Sequence, residues 1–237
     1  MLWDIDYTLL SSGGVGRAMY GSVFRDLFGR DPDGVAPMAG RTERAIIVDT
    51  LAMAGVSDPA RYVDAFVAEL GRRAPGLRAT FAARGHALPG ATAALAAVAA
   101  LRPAVVQSVL TGNVPAIAEA KLAAFGLDTY LDLDVGAYGD HHEVRAELVH
   151  LARGRARAAY GREFGGQATV LVGDTPLDVE AALATGARAV GVATGGPAAA
   201  ELAAAGADVV LPDLTDTCAV LSAITGPDPG PGSGVCS

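Results

Sequence analysis

Beyond residue 90 the sequence alternates short, unbroken apolar runs with longer stretches whose apolar positions recur three or four residues apart. The runs VVQSVLT, ATVLVGD, RAVGVATG and DVVLPDL predict strands, and YLDLDVGAYG predicts a strand followed by a turn. Between them, GATAALAAVAALRP, VPAIAEAKLAAFGL, EVRAELVHLARGRARAAYG, DVEAALATGA and PAAAELAAAGA predict helices, and a last helix ends near Ile224. Strands that are apolar on both sides and separated by helices belong to a parallel sheet covered on both faces. MLW, at the start, reads as one more strand, a very short one.

Residues 13–85 break this alternation. Residues 14–28 predict a helix with Ala18, Val23 and Leu27 on its apolar face, and RDPDGVAPMAGR predicts a loop. TERAIIVDTLAMAG predicts a helix capped by Thr42 and stopped by Gly55. PARYVDAFVAELGRRA predicts another, opened by Pro59 after Asp58. The expected organisation is therefore a core of residues 1–12 and 86–225 and an all-helical insertion at 13–85. The proline- and glycine-rich stretch GPDPGPGSGVCS, residues 226–237, is expected to be a disordered tail.

Composition narrows the partners. Half of the residues, 51%, are apolar, mostly alanine, valine and leucine, which is enough for a sizeable core. The formal charge is -8, and Lys121 is the only lysine. With no basic stripe to neutralise phosphates, no nucleic-acid partner is expected. No apolar run reaches bilayer length and no leader pattern is visible, so no membrane association and a cytoplasmic location are expected. Cys218 and Cys236 do not have zinc-site spacing.

The polar residues fall at telling places. Asp4, Thr111 and Asp174 each close a predicted strand at its C-terminal end, where open parallel sheets bind ligands. Asp6 follows Asp4 by two, and Asp178 stands near the start of the helix after Asp174. Asp4, Asp6, Asp174 and Asp178 are the oxygen donors a hard cation such as Mg²⁺ takes. The helical insertion leaves the sheet immediately after the first of these strands, where it can close over the crevice as a lid.

These segments carry a resemblance. DIDYT resembles the DxDxT signature of the haloacid dehalogenase-like superfamily, LTGN its second motif, and GDTPLD its acidic fourth motif. The resemblance implies a Rossmann-like α/β core with an inserted all-helical cap. It also implies a Mg²⁺-dependent phosphatase that acts on a small phosphorylated metabolite through an aspartyl-phosphate. By that likeness Asp4 is the nucleophile, Asp6 the acid and base, and Thr111 the hydroxyl that holds a phosphoryl oxygen, with Gly112 and Asn113 beside the substrate. Mg²⁺ would rest on Asp4, Asp174 and the Asp6 carbonyl, supported by Asp178. Tyr7 stands where the family usually has a small residue, so it either points away from the metal or walls the substrate pocket. A monomer or homodimer is expected.

The family's third motif, usually a lysine in a lysine-proline pair, is absent. GAYGDHHEVRAELVHLA holds His141, His142 and Arg145 in that region, and Lys121 lies in the helix after Thr111. Both Lys121 and Arg145 are candidates for the missing cation. The insertion resembles the cap of the phosphoglycolate phosphatase and beta-phosphoglucomutase branch, and within GRTERAII the residues Arg41, Thr42 and Arg44 are candidates to meet the far end of a substrate. Residues 13–85 hold no lysine, which argues against phosphonate cleavage through a cap Schiff base. Asp6 argues against carbon–halogen cleavage. A sugar-phosphate mutase resembling beta-phosphoglucomutase, and a weakly catalytic phosphate-binding regulatory module, stay open as alternatives.

Overall fold

The short apolar runs become the strands of a parallel sheet, and the computed structural model describes residues 1–226 of the chain. In chain order the elements are β1 (Leu2–Trp3), β2 (Leu10–Ser11), α1 (Val15–Phe28), α2 (Glu43–Met53), α3 (Val63–Arg84), β3 (His86–Ala87) and α4 (Ala91–Ala99). They continue as β4 (Ser108–Val109), α5 (Pro115–Ala124), α6 (Arg145–Tyr160), β5 (Val170–Gly173), α7 (Pro176–Ala184), β6 (Arg188–Val192), α8 (Ala199–Ala204), β7 (Val209–Leu211) and α9 (Thr217–Thr225). The main sheet runs β4-β1-β5-β6-β7, and every pair in it is parallel.

Strand periodicity sorts the core onto two faces. Trp3, Val109, Val172 and Val190 point to one side, where they pack with Leu95 of α4 and Leu221 of α9. Leu2, Leu110, Leu171 and Ala189 point to the other, against Leu148 of α6, Val179 of α7 and Leu202 of α8. β1 is only two residues long, yet it lies between β4 and β5, with Trp3 opposite both Val109 and Val172. The Trp3 indole N–H donates to Gln107 Oε1 at 3.1 Å, and Gln107 Nε2 donates to the Leu95 carbonyl at 2.9 Å, so the buried polar groups are paired.

The insertion is helical throughout α1, α2, a 3-10 turn at Pro59–Tyr62, and α3. Its core gathers Met19, Tyr20 and Phe24 of α1, Ile47 and Leu51 of α2, and Phe66, Leu70 and Phe81 of α3. α5 belongs to both bodies: Ala118 and Leu122 pack into the sheet domain, while Ile117 and Ala120 pack into the cap. The two crossings between cap and sheet domain run side by side as the antiparallel pair β2–β3, with Leu10 opposite Ala87 and Ser11 opposite His86.

Local expectation and fold differ in several places. On α1 Val23 is buried as expected, but Ala18 and Leu27 face outward, and Val15, Met19, Tyr20 and Phe24 complete the apolar face. The spacing 15, 19, 20, 23, 24 follows the helical period, which the looser set did not. α3 runs on through Pro75 to Arg84, because Phe66, Leu70, Ala74 and Phe81 anchor one stripe to the cap core. The strand expected in YLDLDVGAYG is instead two 3-10 turns, with a single bridge from Leu110 to Ala137. The cause is local: the Asp132 carboxylate accepts from the Asp134 N–H at 3.2 Å, and that turn competes with extended pairing. The expected tail lies outside the described residues except for Gly226.

Cap and core meet along a seam of backbone hydrogen bonds. The Glu43 N–H donates to the Gly112 carbonyl at 2.9 Å, and the Arg44 N–H donates to the Gly139 carbonyl at 3.1 Å. A Cβ on Gly139 would stand 1.8 Å from the Gly112 oxygen, and one on Gly112 would stand 2.0 Å from the Arg41 oxygen. Only glycine permits so close an approach. Gly139→Ala is therefore expected to lower the free energy of unfolding by about 1–3 kcal/mol, a typical overpacking cost, read as a lower urea midpoint.

Candidate active site

β1, β4 and β5 end at Trp3, Val109 and Gly173, and the residues just beyond them share one crevice beneath the cap. A cavity of about 650 Å³ lies there between the two bodies. Asp4, Asp6, Thr111, Lys121, Arg145 and Asp174 line it from the sheet side, and Arg17, Tyr20, Arg41, Glu43 and Ile46 from the cap side.

Asp4, Asp174 and Asp178 form a buried acidic triad in which one carboxylate oxygen from each lies within 4.8 Å of the others. Arg145 enters this triad from the start of α6. Its Nη2 donates to Asp4 Oδ1 at 2.8 Å, to Asp178 Oδ1 at 2.6 Å and to the Leu110 carbonyl at 3.2 Å, while Nη1 donates to the Gly40 carbonyl of the cap at 3.3 Å. Its Nε is buried and has no hydrogen-bond partner among the described residues. Asp178 sits behind the cavity wall, where Thr175 donates to its Oδ2 from the backbone N–H at 3.1 Å and from the hydroxyl at 2.7 Å, in a capping box that opens α7. Thr8 donates its hydroxyl to Asp174 Oδ1 at 3.3 Å.

The second cluster surrounds Asp6. Lys121 Nζ donates to both Asp6 oxygens, at 2.8 and 2.6 Å, and to Asn113 Oδ1 at 2.7 Å. Asn113 Nδ2 reaches Asp6 Oδ2 at 2.8 Å and the Thr111 hydroxyl at 2.7 Å. The two cations considered for one place therefore occupy two: Arg145 holds Asp4, and Lys121 holds Asp6.

Burial governs the acids. It pushes Asp4 up to about 7, against the opposing pull of Arg145, with Asp178 and Asp6 adding to the rise. It pushes Asp174 up to about 8, with help from Asp4 and Asp178. Burial also opposes the Arg145 charge, but Asp178 and Asp4 together outweigh it and raise its pKa above the ordinary value. With all three carboxylates ionised, the one guanidinium, which pairs with Asp4 and Asp178, would leave two negative charges uncompensated in a low-dielectric site, and a divalent cation is a species that can balance them. The triad can therefore hold such an ion.

The other expected residues divide. Gly112 and Asn113 line the cavity, and so does Tyr7, half exposed and left-handed at φ 60°. Its N–H donates to the Leu10 carbonyl at 2.7 Å, and its carbonyl accepts from the Thr194 hydroxyl at 2.5 Å, which hold the turn after Asp6. Arg41 lines the cavity, but its guanidinium is turned to Asp49 at 2.6 Å and to the Pro37 and Ala45 carbonyls. The Thr42 hydroxyl accepts from Ala45 N–H at 3.4 Å as the cap of α2 and donates to the Glu143 carbonyl at 2.9 Å, so it is used in the cap–core seam and lies outside the cavity lining. Arg44 pairs with Asp64 at 2.9 Å. His141 and His142 accept from the Tyr138 and Val144 N–H groups and shape the loop that leads into α6.

Glu43, Tyr20 and Arg17 escaped the sequence reading. Arg17 and Tyr20 stand three apart on α1, but the looser face assigned to that helix hid that both line the cavity. Glu43 follows Thr42 and reads as an ordinary acid in a helix's first turn. In the fold it is buried, and burial raises its carboxyl to about 7 against the opposing effects of Tyr20 and Lys121.

A family model described as haloacid dehalogenase-like hydrolase matches residues 1–183. No curated protein matches the chain. A hydrolase from Pseudomonas syringae is similar at 23% identity and a TM-score of 0.63, over 95% of this chain and 98% of its own. A predicted phosphatase from Clostridium acetobutylicum aligns at 17% identity and a TM-score of 0.65, over 93% of this chain and 97% of its own. A predicted phosphoglycolate phosphatase from Haemophilus somnus 129pt aligns at 17% identity and a TM-score of 0.58, over 92% and 96%. At these identities the likeness to solved structures speaks to fold alone. No helix among the described residues is long and apolar enough to cross a membrane.

The triad predicts a pH signature. Raised folded-state values mean that the folded protein retains protons which an unfolded chain, with aspartates near 3.8, has already released. Without metal, stability should therefore fall as pH rises from about 4 to about 8. Thermal midpoints in EDTA should drop across that range. Added Mg²⁺ should raise the midpoint more at pH 8 than at pH 5, since the ion competes with protons for the same oxygens. An equal effect at both values would contradict the assignment.

Proposed function

The chain belongs to the haloacid dehalogenase-like hydrolase family, and we propose that it is a Mg²⁺-dependent phosphatase of small phosphorylated metabolites, of the branch that resembles phosphoglycolate phosphatase. One observation carries this reading: Asp4, at the end of β1, is buried within the acidic triad and is held on one oxygen only, by Arg145 at 2.8 Å.

With Oδ1 engaged by Arg145, Asp4 Oδ2 is the atom that attacks phosphorus. The bond from phosphorus to the ester oxygen breaks as the bond to Asp4 forms, and Asp6 gives a proton to the departing oxygen. Water then attacks the aspartyl-phosphate, Asp6 takes the water's proton, and the bond between phosphorus and Asp4 breaks, which frees phosphate. The Thr111 hydroxyl and the Gly112–Asn113 backbone hold phosphoryl oxygens, while Lys121 and Asn113 keep Asp6 beside the scissile bond. Asp4, Asp174 and the Asp6 carbonyl, with Asp178 in support, would hold Mg²⁺, whose charge would offset the repulsion between an anionic nucleophile and an anionic phosphate. Arg145 takes the place of the absent lysine motif: it orients Asp4 and, through Gly40, ties that orientation to a closed cap.

Hydrolysis of p-nitrophenyl phosphate with Mg²⁺ tests the assignment. Asp4→Asn should abolish turnover, and Asp6→Asn should lower kcat by about 10²–10⁴, the usual worth of a general acid and base. Arg145→Ala should lower kcat at least as strongly as it raises KM, because it removes the group that positions the nucleophile. Full activity in Asp4→Asn sinks the mechanism. Isomerisation of a sugar phosphate with little free phosphate would sink the hydrolase assignment.

A further inference from the structure

On the cap side of the cavity the Arg41 guanidinium is already engaged by Asp49, and outside the lining Arg44 is engaged by Asp64 and the Thr42 hydroxyl by Ala45 and Glu143. Arg17 stands exposed at the rim, with its Nη1 3.4 Å from the Val35 carbonyl. Two groups differ. Glu43, at the start of α2, is 4% exposed, lines the cavity and forms no ion pair among the described residues. Tyr20, on α1, is 1% exposed and lines the same cavity, where its hydroxyl lies beside the Glu43 carboxyl and meets no other hydrogen-bonding group among the described residues. Met19, Ile46 and Ile117 surround them with apolar wall. A buried carboxyl and hydroxyl that have only each other in an apolar wall keep hydrogen-bonding capacity to spare, and capacity left unused there is costly. An apolar pocket with a few convergent polar groups is the usual form of a small-molecule site.

We propose that Glu43 and Tyr20 form the subsite for the non-phosphate end of the substrate, and that this end carries hydroxyl or ammonium hydrogen-bond donors rather than a carboxylate. The inference rests on the phosphatase reading and refines it. With the phosphoryl group at Asp4 and Thr111, the rest of a small monoester extends toward the cap. The groups that receive it there are an acceptor carboxyl and a hydroxyl that can accept as well as donate. A carboxylate at that end would meet Glu43 as a like charge. The same pair therefore separates this chain's substrate from phosphoglycolate itself, even within the branch it resembles.

The test compares matched substrates that differ only in donors. Glycerol 3-phosphate is set against propyl phosphate for the hydroxyl case, and O-phosphoethanolamine against ethyl phosphate for the ammonium case, with phosphoglycolate as the carboxylate arm. At least one donor-bearing substrate should exceed its donor-free partner by about tenfold or more in kcat/KM, as a site built for hydrogen bonds discriminates. The pair that shows the preference identifies hydroxyl or ammonium. Glu43→Gln and Tyr20→Phe should each pull that ratio toward one, and Glu43→Gln should raise the relative rate on phosphoglycolate. Equal rates within both pairs, a ratio untouched by either variant, or phosphoglycolate as the best substrate overturns the proposal. Asp4-dependent cleavage of p-nitrophenyl phosphate by the parent separates the two failures. If it persists, only the subsite is wrong; if it is absent, the phosphatase reading fails and the subsite proposal falls with it.

Discussion

Arg145 stands where four parts of the chain meet, and its buried charge lets them meet. The guanidinium bonds Asp4 at the end of β1, Asp178 at the start of α7, the Leu110 carbonyl beyond β4 and the Gly40 carbonyl of the cap loop. Asp4 and Asp178 could not share a dry site without a cation between them, because their repulsion is weakly screened there. A buried ion pair of this kind contributes little net stability, since desolvation offsets much of the attraction. Its effect here is geometric: it sets the position of β1, the shortest kind of strand, against its neighbours and against the cap.

The same balance explains why the triad can hold a divalent metal ion. Arg145 compensates one of the triad's three carboxylates, and burial lifts Asp4 and Asp174 toward neutral pH instead of allowing three free anions. Asp6 lies outside this network. Lys121, the chain's only lysine, grips both of its oxygens, and Asn113 links it to Thr111. The two aspartates of DIDYT thus have separate cationic partners, as two separate tasks in the proposed reaction require.

Cap placement combines two kinds of force. Apolar packing on α5 fixes the body of the cap, because one side of that helix belongs to the cap core and the other to the sheet. Backbone hydrogen bonds through Gly112 and Gly139 hold Glu43 and Arg44, at the start of α2, against the segment that carries Gly112 and Asn113 of the cavity lining. Lys121 rides on α5, and Glu43 and Arg145 flank the seam. The cap is therefore held by the same residues that border the cavity, and the shape of that cavity depends on closure.

The sequence by itself determined the parallel sheet with its helical insertion and the three strand ends that carry Asp4, Thr111 and Asp174. Those features depend on local periodicity and on neighbours close in the chain, which survive without tertiary context. Local reading also reached its limit locally, at YLDLDVGAYG, where an aspartate turn wins over an apolar alternation. Tertiary structure alone decided which cation faces which aspartate, since Lys121 meets Asp6 across 115 residues and Arg145 meets Asp4 across 141. It also turned the Arg41 guanidinium to Asp49 and brought Glu43 and Tyr20 to the cavity wall. The physical reason is common to all of these: the partner of a charged side chain is set by burial and by competing charges from other elements, and neither is written in the spacing around it.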